Sequence, residues 1–301
     1  IRMKKGLTIT IAILMVALLW YFLIKPQDYQ IRVVAKSNTG TINQALKAWN
    51  NTLPNATVRQ LNNLGNLEQK VVTGDSTHIY NWNITPITDS TSQLIVNVKD
   101  EDHSMGNKLV IPFYDSDFEK QSRKTVTEFI ESLNAHRKEF KVTFMGEDNL
   151  PSTYCACVEH KTTQITKAFG MMESYPFLNS VIASNGIQVN GIPFIETTDW
   201  NMQNDSISFN FCYPIIKSDT LPQIKDIIYK EFIGKKSLKA VYNGNYMTSD
   251  RAWYTLLDYA EEKNIAIEKN PIEFFFNNPN MGGDALRWKA EVFMPLADQD
   301  E

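Results

Sequence analysis

The residue of this sequence best placed to do chemistry is a glutamate inside an apolar strand. Glu291 stands in Ala290-Glu291-Val292-Phe293-Met294-Pro295-Leu296, where a charge is costly unless something offsets it. Strand alternation puts Lys289, Glu291 and Phe293 on one face and Ala290, Val292 and Met294 on the other. If the second set packs on helices, Glu291 opens onto the opposite side and can hold a cationic or polar-aromatic ligand. Neighbouring rings would add cation–π attraction of about 0.5–2 kcal/mol. The bland alternative is a surface glutamate paired with a lysine such as Lys289.

Aromatic residues near this strand fit two roles. Trp253, Leu256, Leu257 and Ala260 recur at i, i+3, i+4 and i+7, the spacing of a helix core. Tyr242, Tyr246 and Phe275 fit a pocket wall, and fit core or turn packing equally well. The polar run 277–283, Asn-Asn-Pro-Asn-Met-Gly-Gly, fits a pocket rim or a hairpin loop. Other chemistry is missing from the sequence. The four histidines, at 78, 103, 136 and 160, have no paired metal spacing, and no HExxH or CxxC motif occurs. Neither a glycine-rich phosphate loop nor a GxSxG elbow is present. No metal, no cofactor and no catalytic residue is predicted.

The elements around Glu291 come in duplicate. One copy runs through 154–162, a helix near 165–175, then 191–195 and 209–215. The other runs through 238–246, a helix near 249–263, then 271–276 and 290–296. Each reads strand, helix, strand, strand, and each closing strand meets a proline, which cannot donate to a ladder. The turn Tyr242-Asn243-Gly244-Asn245-Tyr246 and the closing strand 290–296 resemble those of the GyrI-like and AraC-type effector-binding domains. That resemblance implies two pseudo-symmetric halves forming one antiparallel sheet with helices on one side. It further implies a concave ligand pocket on the other side, holding aromatics and a glutamate. Glu291 then becomes the pocket acid, with Asn210 at its counterpart position, and Tyr246 and Trp253 join the site by family analogy. Glu159-His160 falls where the family turn begins and is read as a turn.

The region 29–142 starts with an alternating strand at 29–35 and a helix capped by Thr41, carrying Ile42, Ala45, Leu46 and Trp49. Strands are predicted at 70–73, 78–84, 93–98 and 108–113. A long amphipathic helix follows from about Asp117, with Phe118, Val126, Phe129, Ile130 and Leu133 on its buried stripe. This order resembles the START-like (SRPBCC) helix-grip fold, in which a curved sheet wraps the last helix. Trp49, Trp82 and Phe129 are read as filling its core.

Residues 7–24 carry no charge, and at about 1.5 Å per residue a helix there spans roughly 27 Å, near the hydrocarbon thickness. Arg2, Lys4 and Lys5 precede the run and only Lys25 follows at once. The positive-inside rule sends the rest of the chain outward. No small-x-small site ends the run, so an uncleaved anchor is expected rather than a signal peptide.

Apolar residues make up 43% of the 301 and charged ones 21%, enough for packed domains and too ordered for general disorder. A net charge of −4 excludes a chain-wide nucleic-acid footprint. The three cysteines are read as apolar fillers, although Cys155 or Cys157 could meet Cys212. The expected protein is α+β: an anchor at 1–28, a START-like domain at 29–142 and a GyrI-like domain at 143–301. It is expected as a single-pass bacterial inner-membrane protein with its bulk on the periplasmic side, binding a small molecule and no nucleic acid, with any protein partner unknown. Two alternatives come with the resemblance: a hydrolase of small electrophiles with Glu291 as base on water, and a protein-interaction module.

Overall fold

The computed structural model describes residues 2–297, with side chains from residue 9 onward. The chain falls into two compact units that change over mainly between Leu133 and Asn134, with Ser37–Thr41 and Thr88–Ser90 counted in the second.

Ahead of the first sheet, α1 (Arg2–Leu19) is followed by a π-helical turn at Trp20–Ile24. The single helix expected over 7–24 is therefore corrected: the α-helix stops at Leu19, and among the described residues no helix is long and apolar enough to cross a membrane.

The first unit continues with β1 (Tyr29–Ala35), α2 (Thr39–Asn50), β2 (Ala56–Gln60), β3 (Asn66–Thr73), β4 (Ser76–Thr88) and β5 (Thr91–Asp100). α3 (Ser104–Val110) and α4 (Asp117–His136) complete it. The sheet order is β1-β5-β4-β3-β2. β5 buries every second residue, so one face of the sheet is dry, and α4 contributes Phe118, Val126, Phe129 and Leu133 to the core. Phe129 packs 5.6 Å from Trp49 and 5.1 Å from Trp82 between ring centroids. Residues 108–113, read as a strand, instead form the end of α3 and a turn. Just before the helix Asp100 accepts from the backbone N–H groups of Asp102 and His103, and within it Lys108 is buried while Leu109 stays exposed.

The second unit holds one eight-stranded sheet. Its strands are β6 (Phe140–Asn149), β7 (Thr153–Thr163), β8 (Phe194–Asn201) and β9 (Ser206–Pro214), then β10 (Ile228–Phe232), β11 (Lys236–Gly244), β12 (Ile272–Phe275) and β13 (Lys289–Pro295). Helix α5 (Lys167–Ser184) follows β7, and α6 (Arg251–Lys263) follows β11. The order β10-β7-β9-β8-β12-β13-β11-β6 is a palindrome of two repeats. Each repeat has one more strand than expected. β6 opens the first repeat yet pairs with β11 of the second, while β10 opens the second and pairs with β7 of the first. This exchange moves the predicted boundary at 143, since β6 begins at Phe140. Glu159 and His160, expected at a turn, lie within β7.

Direct pairing of β7 with β9 sets Cys157 opposite Cys212, and the two form a disulfide. That corrects the reading of all three cysteines as fillers; only Cys155 remains a buried thiol.

Candidate functional site

Strand β12 divides the chemistry of the second unit between the two faces of its sheet. Ile272 and Phe274 join a cluster with Phe194, Phe232 and Phe293, so Glu273 and Phe275 point the other way. On that side Glu273 Oε1 accepts from the Lys167 ammonium and from the Trp253 indole N–H, the latter at 2.8 Å. Lys167 also donates to Ser249 Oγ at 2.7 Å and lies 4.6 Å from the Trp253 ring centre. Lysine and glutamate side chains are both fully buried. Lys167 is the first residue of α5, where the helix dipole disfavours a cation, so Glu273 offsets both desolvation and dipole. Glu273 was not among the predicted residues. The signal was present, a charge between Ile272 and Phe274, and it matches the argument applied to Glu291.

On the same helix-bearing side is a cavity of about 180 Å³. Met171, Met172 and Tyr175 of α5 form one wall, and Tyr246, Met247 and Phe275 another. Phe211, Trp288 and residues 277–280 complete it. Gly244 makes this wall possible. It sits at φ +152°, and a Cβ there would come within 2.6 Å of Tyr242 Oη and 2.8 Å of Phe140 Cβ. Past that turn, Asn245 caps a short helical turn by accepting from Met247 N–H, which presents Tyr246 to the cavity.

No charged side chain lines the cavity. Its polar groups are largely engaged with one another. The Tyr246 hydroxyl donates to Lys289 O at 2.8 Å and accepts from Asn277 N–H at 3.2 Å. Asn278 donates to the Tyr175 hydroxyl at 3.2 Å. Burial pushes the Tyr246 phenol up to about 12, so it stays neutral. No serine, cysteine, histidine or carboxylate is in the lining.

Of the predicted residues, the structure brings Tyr246 and Phe275 together in this cavity, with ring centres 4.8 Å apart. Trp253 is core and holds the Glu273 carboxylate. Tyr242 is fully buried, stacks on Phe140 and donates to Asn245 O at 2.8 Å, bracing the turn. Glu291 pairs with Phe274 across the sheet and therefore faces away from the helices and the cavity. Its carboxylate meets Lys289 at 2.7 Å and Lys239 at 3.1 Å. Partial burial pushes its pKa upward, but hydrogen bonds from those two lysines outweigh this and hold it below the ordinary value. This cavity lies between helix and sheet, on the face of the sheet opposite Glu291. Of the run 277–283, residues 277–280 line it. Met171, Met172, Tyr175, Phe211 and Trp288 had no sequence signal beyond being apolar.

No family model matches the sequence, and no curated protein matches it. Among solved structures the chain is similar to the C-terminal domain of EcmrR, at 13% identity over 53% of this chain and 99% of that one, with a TM-score of 0.44. It is also similar to SAV2435 bound to tetraphenylphosphonium, at 10% identity over 52% and 94%, with a TM-score of 0.36. A hydrolase from Listeria innocua is similar at 9% identity over 55% and 98%, with a TM-score of 0.32. At these values the likenesses place the chain in no family.

Proposed function

We propose that this chain is a membrane-attached small-molecule-binding protein of the GyrI-like effector-binding type, whose second unit takes a compact, uncharged aromatic ligand. The lining of the cavity carries this reading: five aromatic rings and three methionines with no charge. A cavity of about 150 Å³ with apolar walls accepts benzene, so one of about 180 Å³ suits one or two fused rings. Methionine side chains adapt to ring edges and tolerate varied shapes. A cationic ligand fits less well, because Glu273 is matched by Lys167 and Glu291 lies on the other face beside two lysines. The same facts count against Glu291 as a hydrolytic base, which needs a raised pKa.

Attachment to the membrane is supported by the exposure of residues 9–20. A helix that is apolar all round and meets no protein wall belongs in hydrocarbon. The apolar run is shared between α1 and the π-helical turn, which together continue the helical path to Ile24. The disulfide Cys157–Cys212 suits the oxidising, extracytoplasmic side, to which the basic N-terminal flank also directs the chain. For the first unit, the sheet order with β1 beside the last strand and the long closing helix support the START-like reading.

The test is calorimetric titration of the full chain in phosphatidylcholine nanodiscs with 2-naphthol, with partition into empty discs subtracted. Binding should be saturable, and Met171→Trp, which fills the cavity, should weaken it at least tenfold. Met172→Trp at the more exposed edge gives the same reading if the first variant folds poorly. Naphthol binding untouched by both substitutions would refute the cavity assignment. Tetraphenylphosphonium binding abolished by Glu291→Gln would refute the preference for uncharged ligands.

A further inference from the structure

The end of the apolar N-terminal run is fastened to α3. Lys108, whose side chain is 5% exposed, donates to Lys25 O at 2.7 Å and Phe22 O at 3.4 Å. Its ammonium also lies 3.9 Å from Asp28 Oδ1. In return the Tyr21 hydroxyl donates to Lys108 O at 3.1 Å. A cation at carbonyls left open by a helix C-terminus satisfies them and complements the dipole. These contacts fix where α3 sits with respect to the end of the run.

The remainder of α3 and the turn after it present apolar surface. Met105, Leu109 and Val110 are exposed, as are Phe113 at 78% and Tyr114 at 74%. Lys108 is turned inward, so no charged side chain interrupts 109–114 before Asp115. A contiguous exposed apolar patch marks an interaction surface. Lys108 of the same helix is bonded to the end of the run, in which Trp20, Leu23 and Ile24 are exposed.

Resting on the membrane-attachment reading above, we propose that Met105, Leu109, Val110, Phe113 and Tyr114 form a second membrane contact. They insert into the boundary between headgroups and acyl chains beside the anchor and hold the first unit at a fixed orientation on the bilayer. The occupant is a lipid surface because α3 is bonded, at Tyr21, Phe22 and Lys25, to the end of the apolar run that the membrane would hold. Its one phenol and one phenyl ring suit interfacial depth. With no free cation in the patch, neutral phosphatidylcholine suffices.

The experiment is nitroxide labelling of the full chain in phosphatidylcholine nanodiscs, at Leu109→Cys and Phe113→Cys in turn. Cys155 is buried and the other cysteines are bonded, so the label goes to the new site. Collision rates with oxygen, which prefers lipid, are compared with those of a water-soluble nickel chelate. Met15→Cys reports the anchor and the exposed Val72→Cys of β3 reports water. Labels at 109 and 113 should show an oxygen-to-nickel ratio severalfold above that at 72 and approaching that at 15. Ratios at 109 and 113 equal to that at 72, with 15 still in lipid, would overturn the second contact and leave the anchor standing. Shielding of 109 and 113 from both reagents would overturn it in favour of a second protein copy. A water-like ratio at 15 itself would sink the anchor reading and this inference with it.

Discussion

Replacing Glu273 with glutamine removes one charge from a pair that solvent does not reach. Lys167 would keep Ser249 Oγ as an acceptor at 2.7 Å and the face of Trp253 at 4.6 Å, neither of which carries a full negative charge. Removing one partner of a buried ion pair costs about 3–5 kcal/mol, because the other is left uncompensated. At about 1.4 kcal/mol per decade, opening of β12 and the start of α5 should become roughly two to three and a half decades more frequent. Hydrogen exchange of the full chain, followed by mass spectrometry on peptides covering 270–276 and 165–175, reads this directly and needs no assumption that both units unfold together. Lys167→Met should act equally strongly, since it strands the carboxylate with only the Trp253 N–H. Replacing both by methionine should cost less than either single change, because an apolar pair removes two desolvated charges together. Exchange in both single variants at the wild-type rate would refute the reasoning. So would a double variant that opens more often than the two singles combined.

Closure of the 55-residue separation by Cys157–Cys212 should stabilise the second unit by about 4 kcal/mol on a chain-entropy estimate, read as the drop in urea midpoint on reduction. Burial pushes the Cys155 thiol up to about 12, so iodoacetamide should modify no cysteine in the folded protein, one after unfolding and three after unfolding with reductant. Glu291 has a folded pKa below its unfolded value, so its contribution is present above the unfolded value and lost as pH falls through the folded one. Urea titrations between about pH 6 and 3 should therefore show an acid-side loss of stability that Glu291→Gln makes shallower; an unchanged slope would remove this assignment. Gly244→Ala should destabilise the second unit by about 1–3 kcal/mol, through a positive φ and the approach to Tyr242 and Phe140, seen as a lower thermal midpoint.

Local period carried the legible part of this protein. The stripe of α4, the alternation of β5 and the repeated strand, helix, strand, strand order depend on neighbours within a turn or two, so residue types alone reveal them. The turn around Gly244 was legible by another route, its resemblance to the turn of the GyrI-like domains. At 108–113 local reading failed because the inward bond of Lys108 to carbonyls more than 80 residues earlier set the helical phase.

Alternation says that a strand has two faces and leaves open what each face meets. Glu291 and Glu273 both interrupt apolar strands, and the sequence singled out only the former. Packing of α5 and α6 on one side of the sheet placed Glu273 against Lys167 and left Glu291 between Lys239 and Lys289. The exchange of β6 and β10, the pairing that joins Cys157 to Cys212, and the assembly of α5 residues with Tyr246 and Phe275 around one cavity all link segments tens of residues apart. Such contacts follow from closure of the whole sheet, and no window of the sequence contains them.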